Sequence, residues 1–161
     1  MIEVYQQTHC DYYALTAKAL KNELDQESTN AGTITIPENA FNPLRHQYDA
    51  MTIIDHITSL GSDAGPLKLG IVDKDIYAHG MNFIFGLADP LSNTAIVSSY
   101  RLSGENKNER ISKEVVHEVG HLLGLNHCPE RSCVMCFSNT IEDTDIKNQQ
   151  LCSACRSKLE G

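Results

Sequence analysis

The segment VVHEVGHLLGLNHCPERSCVMC, from Val115 to Cys136, constrains this chain more than any other part of its sequence. It places three histidines and three cysteines within 22 residues. Imidazole nitrogens and thiolates are side-chain groups that bind zinc in proteins. The question it raises is whether these side chains hold one metal ion, two metal ions or a disulfide framework.

The residues that lead into this segment have the pattern of an amphipathic helix. Asn106, with Glu109 three residues later, matches an N-terminal capping box, and Gly124 tolerates the left-handed backbone that ends many helices. Apolar side chains fall within roughly 120° of arc, which predicts a face that packs on a sheet. These side chains are Ile111, Val115, Val119, Leu122 and Leu123.

His117 and His121 fall on the opposite face of this helix. Being four residues apart, they stand one turn above each other and can share one metal ion. Glu118 lies beside them, and a sharp turn at Gly124 can bring His127 back as a third ligand. An HExxH pattern alone can occur by chance on an ordinary helix, but the added Gly124 and His127 favour a metal site.

This set of residues suits hydrolysis. Three neutral imidazoles leave one coordination position of a zinc ion open for water. Zinc lowers the pKa of that water to about 7, which makes hydroxide available at neutral pH. Glu118 is then placed to take the proton of the water as a general base and to pass it to the leaving amine as a general acid.

A second group of candidate ligands has the spacing C-x4-C followed by C-x2-C. Its members are Cys128, Cys133, Cys152 and Cys155. Four thiolates close the tetrahedral shell of a structural zinc, which would hold the C-terminal segment together. Disulfides and free thiols are the alternatives, and the C-x2-C pair favours zinc. Cys10 and Cys136 are left over, and we expect Cys136 to be buried and structural.

The rest of the chain predicts alternating strands and helices. Strands are expected in MIEVYQQ, GTITIPE, LKLGIVDKDIYA, MNFIFGLADP and TAIVSSYRL, and helices over 11–26 and 46–61. Such alternation favours a mostly parallel sheet. The link between the third and fourth of these strands is too short for a crossover helix, so we expect that pair to be antiparallel. After about Leu125, cysteine, polar and turn residues dominate, with one short helical stretch near 142–150.

Composition narrows the classes of function. The net charge of −8 argues against binding to nucleic acid or to an anionic membrane, which also weakens the alternative of a zinc-ribbon nucleic-acid binder. No run of apolar residues is long enough for a membrane helix. The first residues, MIEVYQQTHC, lack the basic and apolar parts of a signal peptide. We therefore expect a cytoplasmic protein that acts as a monomer on a peptide or protein substrate.

The extended motif HEVGHLLGLNH resembles the zinc motif of the metzincin metallopeptidases. The cysteine that follows it, with the later CVM and CSAC, is similar to the archaemetzincins. This resemblance implies that His117, His121 and His127 bind a catalytic zinc ion and that Glu118 is the catalytic acid and base. It also implies a structural zinc ion on the four cysteines, and therefore two zinc ions per chain.

The resemblance implies further roles along the chain. Met135 corresponds to the methionine of the Met-turn, which forms an apolar floor under the metal. The segment MNFIFGLADP corresponds to the edge strand that pairs with an extended substrate. Some metzincins have a tyrosine as an extra zinc ligand two residues after the methionine, whereas this chain has Phe137, so we predict no tyrosine ligand.

These observations combine into one expected architecture and function. We expect an α+β fold of metzincin type, with a twisted, mostly parallel five-stranded sheet, one antiparallel edge strand and an active-site helix. The single domain over 1–161 divides into an N-terminal subdomain, 1–125, and a small zinc-bound C-terminal subdomain, 126–161. The expected activity is zinc-dependent hydrolysis of peptide bonds, in one form as an aminopeptidase on short peptides. The alternative is a catalytically weak two-zinc protein that binds peptides.

Overall fold

The computed structural model of the protein describes residues 1–61 and 65–161, and within these ranges it has eight strands and five α-helices. The strands are β1 (Ile2–Gln7), β2 (Ser28–Ile34), β3 (Phe41–Asn42), β4 (Gln47–Asp49), β5 (Leu67–Val72), β6 (Ile76–Tyr77), β7 (Gly86–Asp89) and β8 (Thr94–Ser98). The helices are α1 (Tyr13–Leu24), α2 (Ala50–Thr58), α3 (Lys107–Leu122), α4 (Ile141–Ile146) and α5 (Ser153–Glu160).

The main sheet has five strands in the order β2-β1-β5-β8-β7. Neighbouring strands are parallel except for β7, which pairs antiparallel with β8 in the register Gly86↔Val97 to Asp89↔Thr94. The predicted mostly parallel sheet with one antiparallel edge strand is therefore confirmed. A smaller sheet, in the order β3-β4-β6, lies beside it.

Alternating side chains of the main sheet enter two separate hydrophobic cores, because successive strand residues point to opposite faces. In β8, Ala95 and Val97 belong to the core that contains α1 and α3, whereas Ile96 belongs to the core that contains α2. All five residues of β8 are buried, as expected for a strand covered on both faces. The sheet thus fixes α3 on one face with its apolar stripe inward.

Two of the strand predictions differ from the structure. The third and fourth predicted strands share one antiparallel bridge, between Ile76 and Ile84. In the main sheet, however, the antiparallel pair is β7 and β8, because the four residues between Asp89 and Thr94 make a hairpin, and β8 lies between β5 and β7. The strand predicted in GTITIPE ends at Ile34 and begins at Ser28, since the register with β1 starts at Ile2↔Ser28.

The start of α3 also differs from the prediction. Asn106 makes no capping hydrogen bond with its side chain, and its φ of −94° with ψ of 17° is not the extended geometry of a cap. Glu109 instead lies 3.6 Å from the ammonium of Lys113. The end of the helix is as predicted, because Gly124 has a φ of +100°.

The segment after α3 returns to the main core. Val134, Met135, Leu151 and Cys155 are buried with the apolar face of α3. One helix, α4, overlaps the first part of the helical stretch predicted near 142–150, and α5 was not predicted. The division at residue 125 stays a prediction. In the described residues, no helix has both the length and the apolar character needed to cross a membrane.

Candidate active site

The three histidines of the extended motif lie close together beside α3. His117 and His121 lie on α3, and the turn at Gly124 returns the chain so that the ring of His127 lies 4.8 Å from that of His121 and 5.3 Å from that of His117, centroid to centroid. Their ligand nitrogens all lie within 4.8 Å of one another. His117 is buried, His121 is half-buried and His127 is exposed, so the cluster opens on one side.

Backbone carbonyls orient two of these rings. Nδ1 of His117 lies 2.8 Å from the carbonyl oxygen of Val134, and Nδ1 of His121 lies 2.8 Å from that of Leu125. A carbonyl only accepts hydrogen bonds, so each Nδ1 carries the proton and each Nε2 presents a lone pair. The two Nε2 atoms lie 3.2 Å apart. Two lone pairs this close have no proton to share, and a cation between them satisfies both, so the cluster fits a metal ion.

The electrostatics of the cluster favour neutral imidazoles, the form that binds metals. Burial lowers the pKa of His117 well below its usual range, and the nearby Lys147 ammonium lowers it further. Burial also lowers the pKa of His121 and of His127. The rings are therefore unprotonated at neutral pH.

Glu118 is buried beside the histidines. It lines two neighbouring hollows of one cleft, a small one between residues 81–86 and residues 137–139 and a larger one along β7. Burial raises the pKa of its carboxyl well above the usual range, and the neighbouring Glu114 carboxylate raises it further. Gly86 of the edge strand leaves the room for this side chain, because a Cβ atom at Gly86 would lie 2.8 Å from Cγ and Oε2 of Glu118. The carboxyl thus lies between the edge strand and the histidine cluster.

Met135 and Phe137 lie near the histidine cluster. Met135 is fully buried, and α3 approaches it so closely that a Cβ atom at Gly120 would lie 2.6 Å from its Sδ. The ring of Phe137 lies 5.1 Å from that of His127 and lines both hollows. Phe137 contributes no ligand atom, so the roles predicted for these two residues remain apolar packing.

The four predicted cysteine ligands also form one cluster, whose sulfur atoms all lie within 4.8 Å of one another. Cys128 and Cys152 have their Sγ atoms 3.8 Å apart, as do Cys133 and Cys155. Zinc–sulfur bonds of about 2.3 Å at tetrahedral angles separate the sulfurs by about 3.8 Å, whereas a disulfide needs about 2.05 Å. The arrangement therefore fits a tetrahedral metal site and does not fit disulfides.

Backbone amides support this cluster of thiols. The amides of Met135 and Cys152 donate hydrogen bonds to Sγ of Cys133, at 3.4 and 3.3 Å. The amide of Cys155 is the main cause that lowers the pKa of Cys152 to about 7, whereas burial raises that of Cys155. The prediction that Cys136 is buried was wrong: it lies outside the cluster and is half-buried, with its Sγ 3.8 Å from the carbonyl oxygen of the exposed Phe137.

Sequence reasoning missed a buried ion pair next to the site. Nζ of Lys147 lies 3.4 Å from Oε1 of Glu114 and donates to the carbonyl oxygen of Cys136 at 3.0 Å. Both side chains are buried. Glu114 precedes Glu118 by one helical turn, which was a usable signal, but nothing in the sequence around Lys147 distinguishes it from the exposed lysines of the tail.

The chain matches known proteins over most of its length. The model of Peptidase family M54 matches residues 17–161. A protein named archaemetzincin from Pyrococcus horikoshii is 46% identical over 131 residues, which are 75% of this chain and 70% of that protein. The archaemetzincin of Archaeoglobus fulgidus is 38% identical over 152 residues, or 89% of this chain and 91% of that protein.

Solved structures share the whole fold. The crystal structure of archaemetzincin from Methanopyrus kandleri superposes with a TM-score of 0.89 at 30% identity, over 99% of this chain and 93% of that one. A structure described as a zinc-dependent peptidase from Methanocorpusculum labreanum has a TM-score of 0.87 at 25% identity, over 99% of this chain and 100% of that one. The chain therefore belongs to peptidase family M54, the archaemetzincins, which are zinc metallopeptidases.

Proposed function

We propose that this protein hydrolyses peptide bonds at the cleft beside α3, with His117, His121 and His127 as ligands of a catalytic zinc ion. The observation that carries the proposal is the buried carboxyl of Glu118 beside two Nε2 lone pairs that point at each other. A zinc ion held by the three imidazoles would supply Lewis-acid activation of a water molecule and of the scissile carbonyl.

Glu118 performs the proton transfers in this proposal. It accepts the proton of the attacking water and delivers it to the nitrogen of the leaving amine. Its position suits this task, because the carboxyl is buried beside the histidines and lines the cleft in which the water and the leaving amine would meet. The hydrogen bonds from Nδ1 to the carbonyls of Val134 and Leu125 keep two imidazoles oriented throughout.

The edge strand β7 is the proposed binding place of the substrate backbone. It is hydrogen-bonded to β8 on one side, and in the order of the five-stranded sheet its other side has no neighbour. An extended peptide can add a strand at such an edge. Gly86 lies against Glu118, so a peptide paired there passes the carboxyl.

The four cysteines are proposed to hold a second, structural zinc ion. Four thiolates complete its shell and leave no position for a substrate, so this ion would stabilise the C-terminal segment instead of reacting. The separation of 3.8 Å between paired sulfurs supports the assignment. Two zinc ions per chain follow from the two clusters.

Action as an aminopeptidase on short peptides is the finer form of the proposal, and it needs a carboxylate that holds the free amine of the substrate. Among the described residues that line the two hollows, the acidic ones are Glu114 and Glu118. Internal cleavage needs no such group. The ends of the products distinguish the two modes. The cytoplasmic location and the monomeric state remain part of this proposal as expectations. The charge of −8 supports the expected absence of binding to nucleic acid or to an anionic membrane.

The test is cleavage of a diverse peptide pool, read by mass spectrometry. Zinc-loaded wild type is compared with Glu118→Ala and with Glu105→Ala, a control at an exposed glutamate outside the cleft. We expect cleavage by wild type and by the control, with a loss of about 10²–10⁴-fold in Glu118→Ala. Equal products from all three would indicate a contaminant. No products from any of them would favour the catalytically weak two-zinc protein that binds peptides.

A further inference from the structure

We propose that the small hollow between residues 81–86 and residues 137–139 is a specificity pocket for a short, neutral side chain that donates a hydrogen bond. It would reject acidic side chains. Glu114 and Ser138 are the residues that set this preference. The inference rests on the proposed function, since it assigns the substrate class of the same cleft.

The hollow adjoins the reacting groups. His117, Glu118 and Gly86 line it and also line the larger neighbouring hollow, of about 540 Å³, along β7. A peptide that passes from one hollow to the other therefore crosses Glu118 at the boundary. The side chain that enters the small hollow belongs to a residue that flanks the cleaved bond.

The volume of the hollow limits the side chain to a few heavy atoms. The cavity volume of the hollow is about 50 Å³. One water needs about 10–15 Å³ on that measure, so the hollow holds three to five waters. Part of its wall is aromatic, with Phe83 and Phe85 edge to face at 5.4 Å and Phe137 also among the lining residues. A serine, threonine, asparagine or glutamine side chain matches this space.

The polar groups of the hollow favour a substrate side chain that donates a hydrogen bond. Glu114 is buried there, and its Oε1 already has Thr144 at 3.3 Å and the Lys147 ammonium at 3.4 Å. Its Oε2 has no hydrogen-bond partner among the residues that the structure describes. The hydroxyl oxygen of Ser138 is buried and also lacks a partner in that part of the chain. A buried polar atom is normally paired, so the Ser138 hydroxyl is suited to a ligand group, and Oε2 of Glu114 can accept a hydrogen bond from the same group.

Charge explains the expected rejection. The ammonium of Lys147 is already paired with the carboxylate of Glu114, and no lysine or arginine is among the described residues that line the hollow. A second carboxylate would lie close to the first, with only the Ser138 hydroxyl as a buried, unpaired side-chain donor among those residues, which is unfavourable because like charges repel. A neutral donor meets the unpaired oxygen without that penalty.

The wall of the pocket formed by residues 81–83 is held in place by contacts within the protein, before any substrate binds. Nη2 of Arg45 donates to the carbonyl oxygens of Met81 and Asn82, at 2.7 and 3.2 Å. The guanidinium of Arg101 lies over the ring of Phe83 at 4.1 Å and is itself paired with Asp75. A wall held in place discriminates by fit, because it does not have to be ordered on binding.

The test compares sequence preference at the two positions that flank each cleaved bond in a peptide library. For wild type we expect about tenfold enrichment of serine, threonine, asparagine and glutamine over aspartate and glutamate at one of them. Ser138→Ala should reduce the preference for donors about tenfold, and Glu114→Gln should admit acidic residues. Ser157→Ala, at an exposed serine of α5, is the matched control and should leave the profile unchanged.

Binding separates failure of the pocket from failure of the proposed function. Calorimetry with Glu118→Ala and peptides that differ only at the flanking residue measures the preference without turnover, and thermal melting shows whether Glu114→Gln is folded. Cleavage or binding without preference at either position would overturn the pocket alone. If neither cleavage nor binding occurs, the proposed function fails and the pocket fails with it. Ser138→Ala keeps the test decisive if Glu114→Gln does not fold.

Discussion

The histidine cluster and the cysteine cluster are neighbours in sequence, but they are supported in different ways. His117 and His121 stand on α3, in which the ten residues from Ile111 to Gly120 are all buried. The four cysteines come from turns and from the start of α5, a helix of eight residues. The first cluster inherits its geometry from the main core, whereas the second helps to create the structure around it.

The two clusters also differ in access. The histidine set has three ligands and an exposed side at His127, while the cysteine set has four ligands, two of them fully buried. A site with an open position suits reaction, and a closed shell suits stability. If both clusters hold zinc, as proposed, the comparison teaches that the number of ligands and the elements that carry them can give the same kind of ion opposite tasks.

The largest effect is expected when half of the cysteine cluster is removed, which tests whether the two clusters differ in their roles. Cys152→Ser with Cys155→Ser should unfold the segment after residue 126, because structural zinc sites contribute about 10–16 kcal/mol of binding free energy to folding. Hydrogen exchange should show loss of amide protection in α4 and α5 with protection retained in β5 and β8. Cys136→Ser, outside the cluster, is the control. Retained protection in α5 would contradict the structural role.

The same double variant tests whether the two clusters are linked. His127 and Cys128 are adjacent, and the amide of Cys128 donates to the carbonyl of Met135 at 3.0 Å. Loosening Cys128 should therefore misplace His127 and weaken zinc binding at the histidines. A competition titration with a chelator measures this affinity, and an unchanged value would separate the two clusters.

A second expected effect concerns the buried ion pair that joins the two regions. Lys147→Met should destabilise the protein by about 3–5 kcal/mol, since it leaves the Glu114 carboxylate buried without its cation. Denaturant unfolding measures the loss. Adding Glu114→Gln should recover much of it, whereas Lys158→Met on the exposed face of α5 should have little effect. Equal stability of the Lys147 and Lys158 variants would refute the role of the pair.

A smaller effect is expected at the contact between α3 and the turn that carries Met135. Gly120→Ala places a Cβ atom within 2.6 Å of Sδ of Met135 and should cost about 1–3 kcal/mol by overpacking. It should also lower zinc affinity at the adjacent His121. A double-mutant cycle with Met135→Ala is the control, because relief of the clash makes the double variant less destabilised than the sum of the singles.

The smallest effect is expected at the surface pair that ties α4 to α3. Arg110 donates to both carboxylate oxygens of Asp145, at 2.8 and 2.7 Å, and this lowers the pKa of Asp145 below its usual 3.8. The pair therefore stabilises the protein above about pH 3.8 and is lost as the pH falls through the lowered pKa. Asp145→Asn should cost about 0.2–1 kcal/mol at pH 7, given the exposure of the pair.

Urea unfolding at a series of pH values checks the sign of this effect. The difference between wild type and Asp145→Asn should shrink toward zero in acid. A difference that is constant from neutral to acidic pH would mean that the asparagine acts through packing and not through charge.

Local patterns predicted what depends on local physics. The helical spacing of the histidines and the turn at Gly124 predicted a cluster that the fold assembles, and β-branched runs predicted the strands. Two features were not predicted, one because of the local backbone before α3 and one because its partner is distant in the sequence. Asn106 does not cap α3 because the preceding turn sets a different backbone, and the partner of Glu114 lies 33 residues away at Lys147.

The backbone carbonyls that orient His117 and His121 have a consequence for the metal-free protein. Because Val134 and Leu125 fix both rings through Nδ1, the lone pairs stay aimed without help from an ion. We expect metal-free chains to be recharged at the histidines without refolding, as long as the cysteine cluster is intact. The fraction of chains that are active then depends on the concentration of free metal. Metal-free chains can regain activity by binding metal again, without new protein synthesis.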